Sequence, residues 1–386
     1  MRGVWLTTVS RLDWPPIPSV NASPQRRILL QQQALTTKLD KLKGLGINAV
    51  FFQVKPDGTA LWPSKILPWS DMLTGQIGQD PGYDPLQFML DEAHKRGMKV
   101  HAWFNPYRVS TNIKPSTTAE LNRTLSQQPA SVFVLHRDWI RISGERYVLD
   151  PGIPEARDWI TSIVAEVVSR YNVDGVQFDD YFYADSPGSM LNDSQTFSRY
   201  GQGFASKADW RRHNTQQLIE QVSRTIKQLK PGVEFGVSPA GVWRNLSHDA
   251  AGSDTRGAAA YDESFADTRR WVQAGLLDYI APQIYWPFSR KAASYGVLAN
   301  WWADVVKPTR TRLYIGVALY KVGEASKIEP DWTLGNGVPE LKKQLDLNES
   351  QPQIDGTILF RENYLNLPQT QDAVNYLRQR WGEPRQ

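Results

Sequence analysis

The sequence predicts an α/β fold, a (β/α)8 barrel of the TIM type, on three observations. Strand-like and helix-like stretches alternate eight times along 386 residues. Polar and aromatic residues collect at the C-terminal ends of the strands, and the strand-to-helix connections are far longer than the helix-to-strand ones. That asymmetry places a cleft at the C-terminal face of the sheet, where barrels carry their sites. A doubly wound sheet also alternates strands and helices, but no glycine-rich phosphate turn follows any strand. No linker or low-complexity segment divides the chain, so one domain, residues 1–386, is expected.

The first strand is Arg2–Thr8. The first helix opens with Ser23 as N-cap and Pro24 in its first turn, and lines Ile28, Leu35, Leu39, Leu42 and Leu45 along one face. Asn48–Lys55 forms the second strand. The second helix starts at Asp84-Pro85, buries Leu86, Met89, Leu90 and Ala93, and stops at Gly97. Lys99–Asn105 is the third strand, and the helix from Pro154 repeats Ile160, Ile163, Val164, Val167, Val168 and Tyr171 at helical spacing. The fourth strand lies in Val173–Tyr183, followed by a helix over Lys207–Lys230. Then come strand Glu234–Ser238, helix Glu263–Ala274, strand Tyr279–Tyr285, helix Lys291–Val306, strand Arg312–Ala318, helix Pro339–Leu345, strand Gly356–Phe360 and helix Gln369–Trp381. The long connections are Pro56–Tyr83, Pro106–Ile153, Phe182–Ser206, Pro239–Asp262 and Tyr320–Val338. Loops of this length in a compact domain are usually functional.

Composition narrows the chemistry. There is no Cys, which removes disulfides and thiolate catalysis. A net charge of +4 with scattered basic residues does not make a nucleic-acid surface. No run is apolar enough to span a membrane, and the segment after Met1 lacks the pattern of a signal peptide. The five histidines have no ligand spacing, so neither a metal nor another cofactor is expected. The 15 Trp and 15 Tyr are the pointed feature, because flat rings with a polar edge suit sugar faces. Gly236-Val237-Ser238-Pro239-Ala240 only faintly echoes a nucleophile elbow, with Pro239 where the helix should begin.

The stretch Val173–Tyr183 carries the candidate chemistry. Strand side chains alternate, so Val176 and Phe178 face one way and Gln177, Asp179 and Tyr181 the other. Asp179 and Asp180 then stand at a strand's C-terminal end among aromatics. The same alternation sends Trp5, Gln53, Lys55, Trp103, Asn105, Ser238, Gln283 and Tyr285 inward, with Asp57, Tyr107, Arg108, Trp243, Trp286, Arg361 and Glu362 just beyond the strand ends. His101 and Gln177 read as hydrogen-bonded interior packing. About half of the tryptophans are expected merely to pack beneath loops.

Six segments together resemble a known family. They are Arg2–Thr7, Gln53–Gly58, Ala102–Arg108, Asp174–Tyr181, Gly236–Pro239 and Ala281–Trp286, and they resemble the motifs of the glycosyl hydrolase-like 10 family across nearly the whole chain. The resemblance implies a TIM barrel and a location in the bacterial cell envelope. It also implies a carbohydrate-polymer partner, peptidoglycan glycan strands stripped of stem peptides. Membrane attachment is expected only through a lipid anchor upstream of this sequence.

Two hydrolytic routes follow. In the direct route two carboxylates flank the bond, and Glu263 or Glu362 would have to partner one of the aspartates. In the substrate-assisted route the sugar's 2-acetamido oxygen attacks, and Asp179, Asp180 and Tyr285 suit the roles of acetamido holder, acid and hydroxyl donor. The substrate-assisted route is the favoured expectation. Trp5, Trp103, Trp243 and Trp286 would stack on sugar rings, and Lys55, Asn105 and Arg108 would donate hydrogen bonds. Lys55, Arg108, Arg244 or Arg361 would pair with a muramyl carboxylate. The alternatives are a catalytically silent glycan-binding module and a direct two-carboxylate glycosidase on another polysaccharide.

Overall fold

The computed structural model describes residues 1–183 and 190–382. Positions 184–189 of the expected loop Phe182–Ser206 and the last four residues of the expected domain lie outside the described residues. Eight parallel strands close into a barrel: β1 (Arg2–Leu6), β2 (Ala49–Lys55), β3 (Lys99–Phe104), β6 (Gly175–Phe178), β7 (Glu234–Val237), β8 (Tyr279–Ile280), β9 (Arg312–Ala318) and β10 (Gly356–Phe360). Their order around the barrel follows the chain, with β10 pairing β1 to close it. Eight main helices wrap the outside: α1 (Pro24–Gly44), α2 (Pro85–Lys95), α3 (Pro154–Arg170), α4 (Lys207–Leu229), α5 (Thr268–Gln273), α6 (Tyr295–Val306), α7 (Val338–Ser350) and α8 (Gln371–Trp381). The predicted (β/α)8 barrel is the observed fold.

Alternation along the strands divides the core in two. Val50, Phe52, Val54, Val100, Ala102, Phe104, Val176, Phe178, Ile280 and Ile284 pack outward against the helices. Trp5, Phe51, Trp103, Tyr279, Tyr314 and Ile358 fill the barrel interior. Glycines make that inner layer possible. A Cβ at Gly175 would overlap the His101 ring, and one at Gly236 would overlap the Tyr279 ring. His101 Nδ1 and Tyr279 Oη lie 3.0 Å apart, Gln177 Nε2 donates to Tyr279 Oη (3.2 Å), and Trp5 Nε1 donates to Gln177 Oε1 (2.6 Å). His101, as expected, is packing, and burial lowers its pKa to about 4, keeping the ring neutral.

Three local readings need correction. The strand expected over Tyr279–Tyr285 keeps a regular ladder only at Tyr279–Ile280. Pro282 has no N–H to give, and the chain resumes contact through Gln283, which bridges Ala240 and Gly316. The helix expected over Glu263–Ala274 is broken into Ala260–Glu263 and α5, because the Asp267 side chain caps a fresh start by accepting from Arg270 N (3.3 Å). Ser23 precedes α1 as expected, but its hydroxyl makes no cap bond. The long connection after β3 also holds a hairpin, β4 (Ile140–Ser143) with β5 (Arg146–Leu149), that alternation over so few residues did not announce.

Candidate active site

The regular strand β6 ends at Phe178, and this single boundary shapes the site. Had pleating continued, Asp180 would face the helices opposite Asp179. Because the chain leaves the ladder first, both carboxylates reach one pocket at the C-terminal mouth. The pocket is lined by Trp5, Trp103, Gln177, Asp179, Asp180, Tyr181, Ser238, Gln283, Tyr285 and Phe360. The cavity holds about 70 Å³.

Asp179 is 4 % exposed and is held entirely by donors. Trp103 Nε1 (3.2 Å) and Asn105 Nδ2 donate to its Oδ2, and Tyr181 N donates to Oδ1 (3.2 Å). Burial and the neighbouring negative charge of Asp180 nonetheless raise its pKa to about 7, against the opposing pull of Arg108. Asp180 is partly exposed and receives one bond, from Gln283 Nε2 to Oδ1 (3.1 Å). Its pKa is also raised, first by desolvation. Neither acid has an ion-pair partner among the described residues. Tyr285 reaches the pocket from the segment after β8, its ring stacked on Phe360 (5.6 Å, 23°) and edge-on to Tyr320 (5.7 Å). Its hydroxyl makes no hydrogen bond among the described residues, and burial keeps it protonated.

Several expected ligand contacts are instead commitments to the protein. Gln53, Lys55 and Asn105 are each 1 % exposed and form a layer behind Asp179. Lys55 Nζ donates to the carbonyls of Asn105 (2.7 Å), Arg108 (3.3 Å) and Pro106 (3.5 Å). Asp57 accepts from Thr59 N (2.9 Å) and Thr59 Oγ1 (2.5 Å), out of the pocket. Tyr107 is buried edge-on to Phe182. Trp243 is stacked on Trp301 and bonded to Asp267 (2.9 Å), so it packs beneath a loop. Trp286 lies against the outer core, not in the pocket. Arg361 pairs with Asp13 (2.7 Å), and Glu362 with Lys38 (2.7 Å). Arg244 is likewise taken, by Asp262 and Asp249. Glu263 is exposed and does not line the pocket. Arg108 differs from the other cations: it is 7 % exposed, lies over the Tyr181 ring at 4.6 Å, and has no ion pair among the described residues.

Two pocket residues carry more weight than the sequence reading gave them. Gln177, expected as interior packing, both lines the pocket and fixes Trp5. Phe360, two residues beyond Ile358, points inward by the same alternation and lines the pocket. Ser238 lines the pocket, but its hydroxyl donates to Ala281 O (2.8 Å), the posture of a structural serine rather than an activated nucleophile.

A barrel mouth with paired acids and aromatic walls is the architecture of a glycoside hydrolase. The family model described as Glycosyl hydrolase-like 10 matches residues 1–334. The chain is 79 % identical over 383 residues to a protein of Escherichia coli K12 named Glycosyl hydrolase DigH, covering 99 % of this chain and 87 % of that one. It is 42 % identical over 369 residues to Glycosyl hydrolase YngK of Bacillus subtilis, covering 95 % and 69 %. The chain belongs to the glycosyl hydrolase-like 10 family. Among solved structures, a β-galactosidase from Marinomonas superposes with TM-score 0.55 at 10 % identity, over 98 % of this chain and 59 % of that one. An Anoxybacillus α-amylase gives 0.52 at 13 % identity, over 98 % and 76 %. Both share the fold.

Proposed function

We propose that this chain hydrolyses peptidoglycan glycan strands that have lost their stem peptides, with the substrate's own 2-acetamido oxygen as the attacking group. The observation that carries the mechanism is that Asp179 and Asp180 are the only carboxylates lining the pocket among the described residues. The direct route needs a carboxylate on each side of the bond. Glu362 is spent on Lys38, and Glu263 lies outside the pocket. Substrate assistance needs no such partner.

The roles follow from hydrogen bonding. Asp179, fixed by three donors, retains a free lone pair on Oδ1 to accept the acetamido N–H. Asp180 Oδ2 accepts no hydrogen bond among the described residues, and its raised pKa suits a general acid that protonates the leaving oxygen. The Tyr285 hydroxyl, with no hydrogen-bond partner among the described residues, donates to the acetamido carbonyl. The cavity of about 70 Å³, floored by Trp5 and Trp103, seats a substituent such as acetamido while the sugar ring lies at its mouth. The substrate assignment draws on the family resemblance. On the same resemblance we propose a location in the cell envelope, with membrane contact through a lipid anchor upstream of this sequence.

The test is incubation of purified protein with denuded strands in heavy-oxygen water, followed by mass analysis. One heavy oxygen per new reducing end is expected, lost in Asp180→Asn. Intact strands after prolonged incubation with the parental protein would defeat the substrate assignment.

A further inference from the structure

We infer that Gln53 and Asn105 are positioning residues: a relay of two side-chain amides, set by main-chain donors, that forces a hydrogen-bond donor onto Asp179. The direction of each amide can be deduced link by link. The N–H groups of Thr8 and Val9 both meet the Gln53 side chain at 2.9 Å. A main-chain N–H can only donate, so the atom facing them must be the carbonyl oxygen, Oε1. Gln53 Nε2 therefore faces Asn105 and donates to its Oδ1 (2.7 Å). Asn105 is then left with its Nδ2 toward Asp179 Oδ2. Neither amide can turn over without setting an acceptor against an acceptor or a donor against a donor.

The frame around the relay is fixed from both sides. Thr8 Oγ1 donates to Gln53 O (2.8 Å), Asn105 N donates to Lys55 O (2.9 Å), and Lys55 Nζ grips Asn105 O (2.7 Å). Both relay side chains are 1 % exposed, so no water competes for their bonds. The charged and titratable groups facing Asp179 are Asp180 on its own segment, Arg108 beyond β3, Lys55 on β2 and Tyr181. The relay opposes the burial and the like charge that favour the protonated form. It keeps Asp179 an acceptor for an acetamido N–H, and in that respect it rests on the role proposed above.

Gln53→Glu tests the direction of the relay. The new carboxylate still accepts from Thr8 and Val9 but presents an acceptor to Asn105. Asn105 must turn over, and Asp179 then meets an oxygen and needs a proton. The readout is substrate-free: carbon-13 NMR titration of Asp carboxyls in the full chain, with Asp179 assigned by Asp179→Asn. The Asp179 midpoint should rise by roughly one unit or more, about a tenfold shift in its protonation equilibrium. A charge acting through space would do this without Asn105, so the double variant Gln53→Glu/Asn105→Ala decides. Referred to Asn105→Ala alone, the rise should shrink below a third of its size. An unmoved midpoint in a folded Gln53→Glu protein, or a rise undiminished in the double variant, would overturn the relay. Should Gln53→Glu fail to fold, the unaltered protein still answers. The Asn105 side-chain N–H signals, assigned by Asn105→Leu, should follow the titration of Asp179, and signals indifferent to it would overturn the proposal. None of these readings depends on which glycan is cut.

Discussion

Asp179 and Asp180 differ in how they are held, and so in what replacing each should do. Asp179→Asn and Asp180→Asn should each lower the rate on denuded strands by roughly 10²–10⁴-fold, the usual contribution of a positioned acid or base. The folds should remain intact by circular dichroism; near-parental rates would remove the pair from catalysis. Tyr285→Phe removes one hydroxyl and leaves the stacking on Phe360 in place. It should cost at least ten times more rate than Glu263→Gln or Glu362→Gln, and the reverse order would favour the direct route. Burial and the charge on Asp180 hold the last proton of the pair up to about pH 7, and the proposed chemistry needs that proton, so kcat/KM should fall as pH rises through 7. It should fall at lower pH as well, where the pair takes up its second proton.

At the scale of elements, the connection from Asn105 to Arg108 is gripped by Lys55 from the neighbouring strand. Desolvation lowers the Lys55 pKa to about 7. Lys55→Met fills the same space but leaves the carbonyls of Asn105, Pro106 and Arg108 without this donor, so stability should fall by about 1–3 kcal/mol. The rate should drop about tenfold, because Asn105 and Arg108 lose the shared anchor, and kcat should suffer more than KM. An unchanged rate would make Lys55 a packing residue only. The elements themselves were readable to different degrees. β9 and β10 coincide with their expected spans, since period-two apolar runs bounded by turns leave little freedom. β8 was overextended, because side-chain alternation persists past Pro282 while the hydrogen-bond ladder does not. In the pocket, alternation correctly drew in Trp5, Trp103, Tyr181, Ser238, Gln283 and Tyr285. It misdirected Arg361 and Glu362, which lie beyond the regular ladder of β10, where period two no longer governs direction and ion pairs decide. It could not tell that Gln53 and Asn105 bond to each other, because hydrogen-bond partners between strands depend on register.

For the molecule as a whole, the site trades stability against chemistry. A buried carboxyl whose pKa is raised binds its proton more tightly folded than unfolded. Its contribution therefore favours the fold below pH 4 and is progressively lost as pH rises from about 4 to 7. Asp179→Asn relieves that burden. It should raise the melting temperature at pH 8, by an amount on the order of a few kcal/mol in stability, and leave it nearly unchanged at pH 4. An equal change at both pH values would tie the effect to packing instead.

The interior layer of His101, Tyr279 and Gln177, seated over glycines, has a further consequence for how protons travel. It plugs the barrel axis, so bulk solvent meets the two acids only from above. A glycan lying across the opening closes that route. The proton that Asp180 would give to the leaving sugar then has to come back from the water that opens the intermediate, within the same cycle.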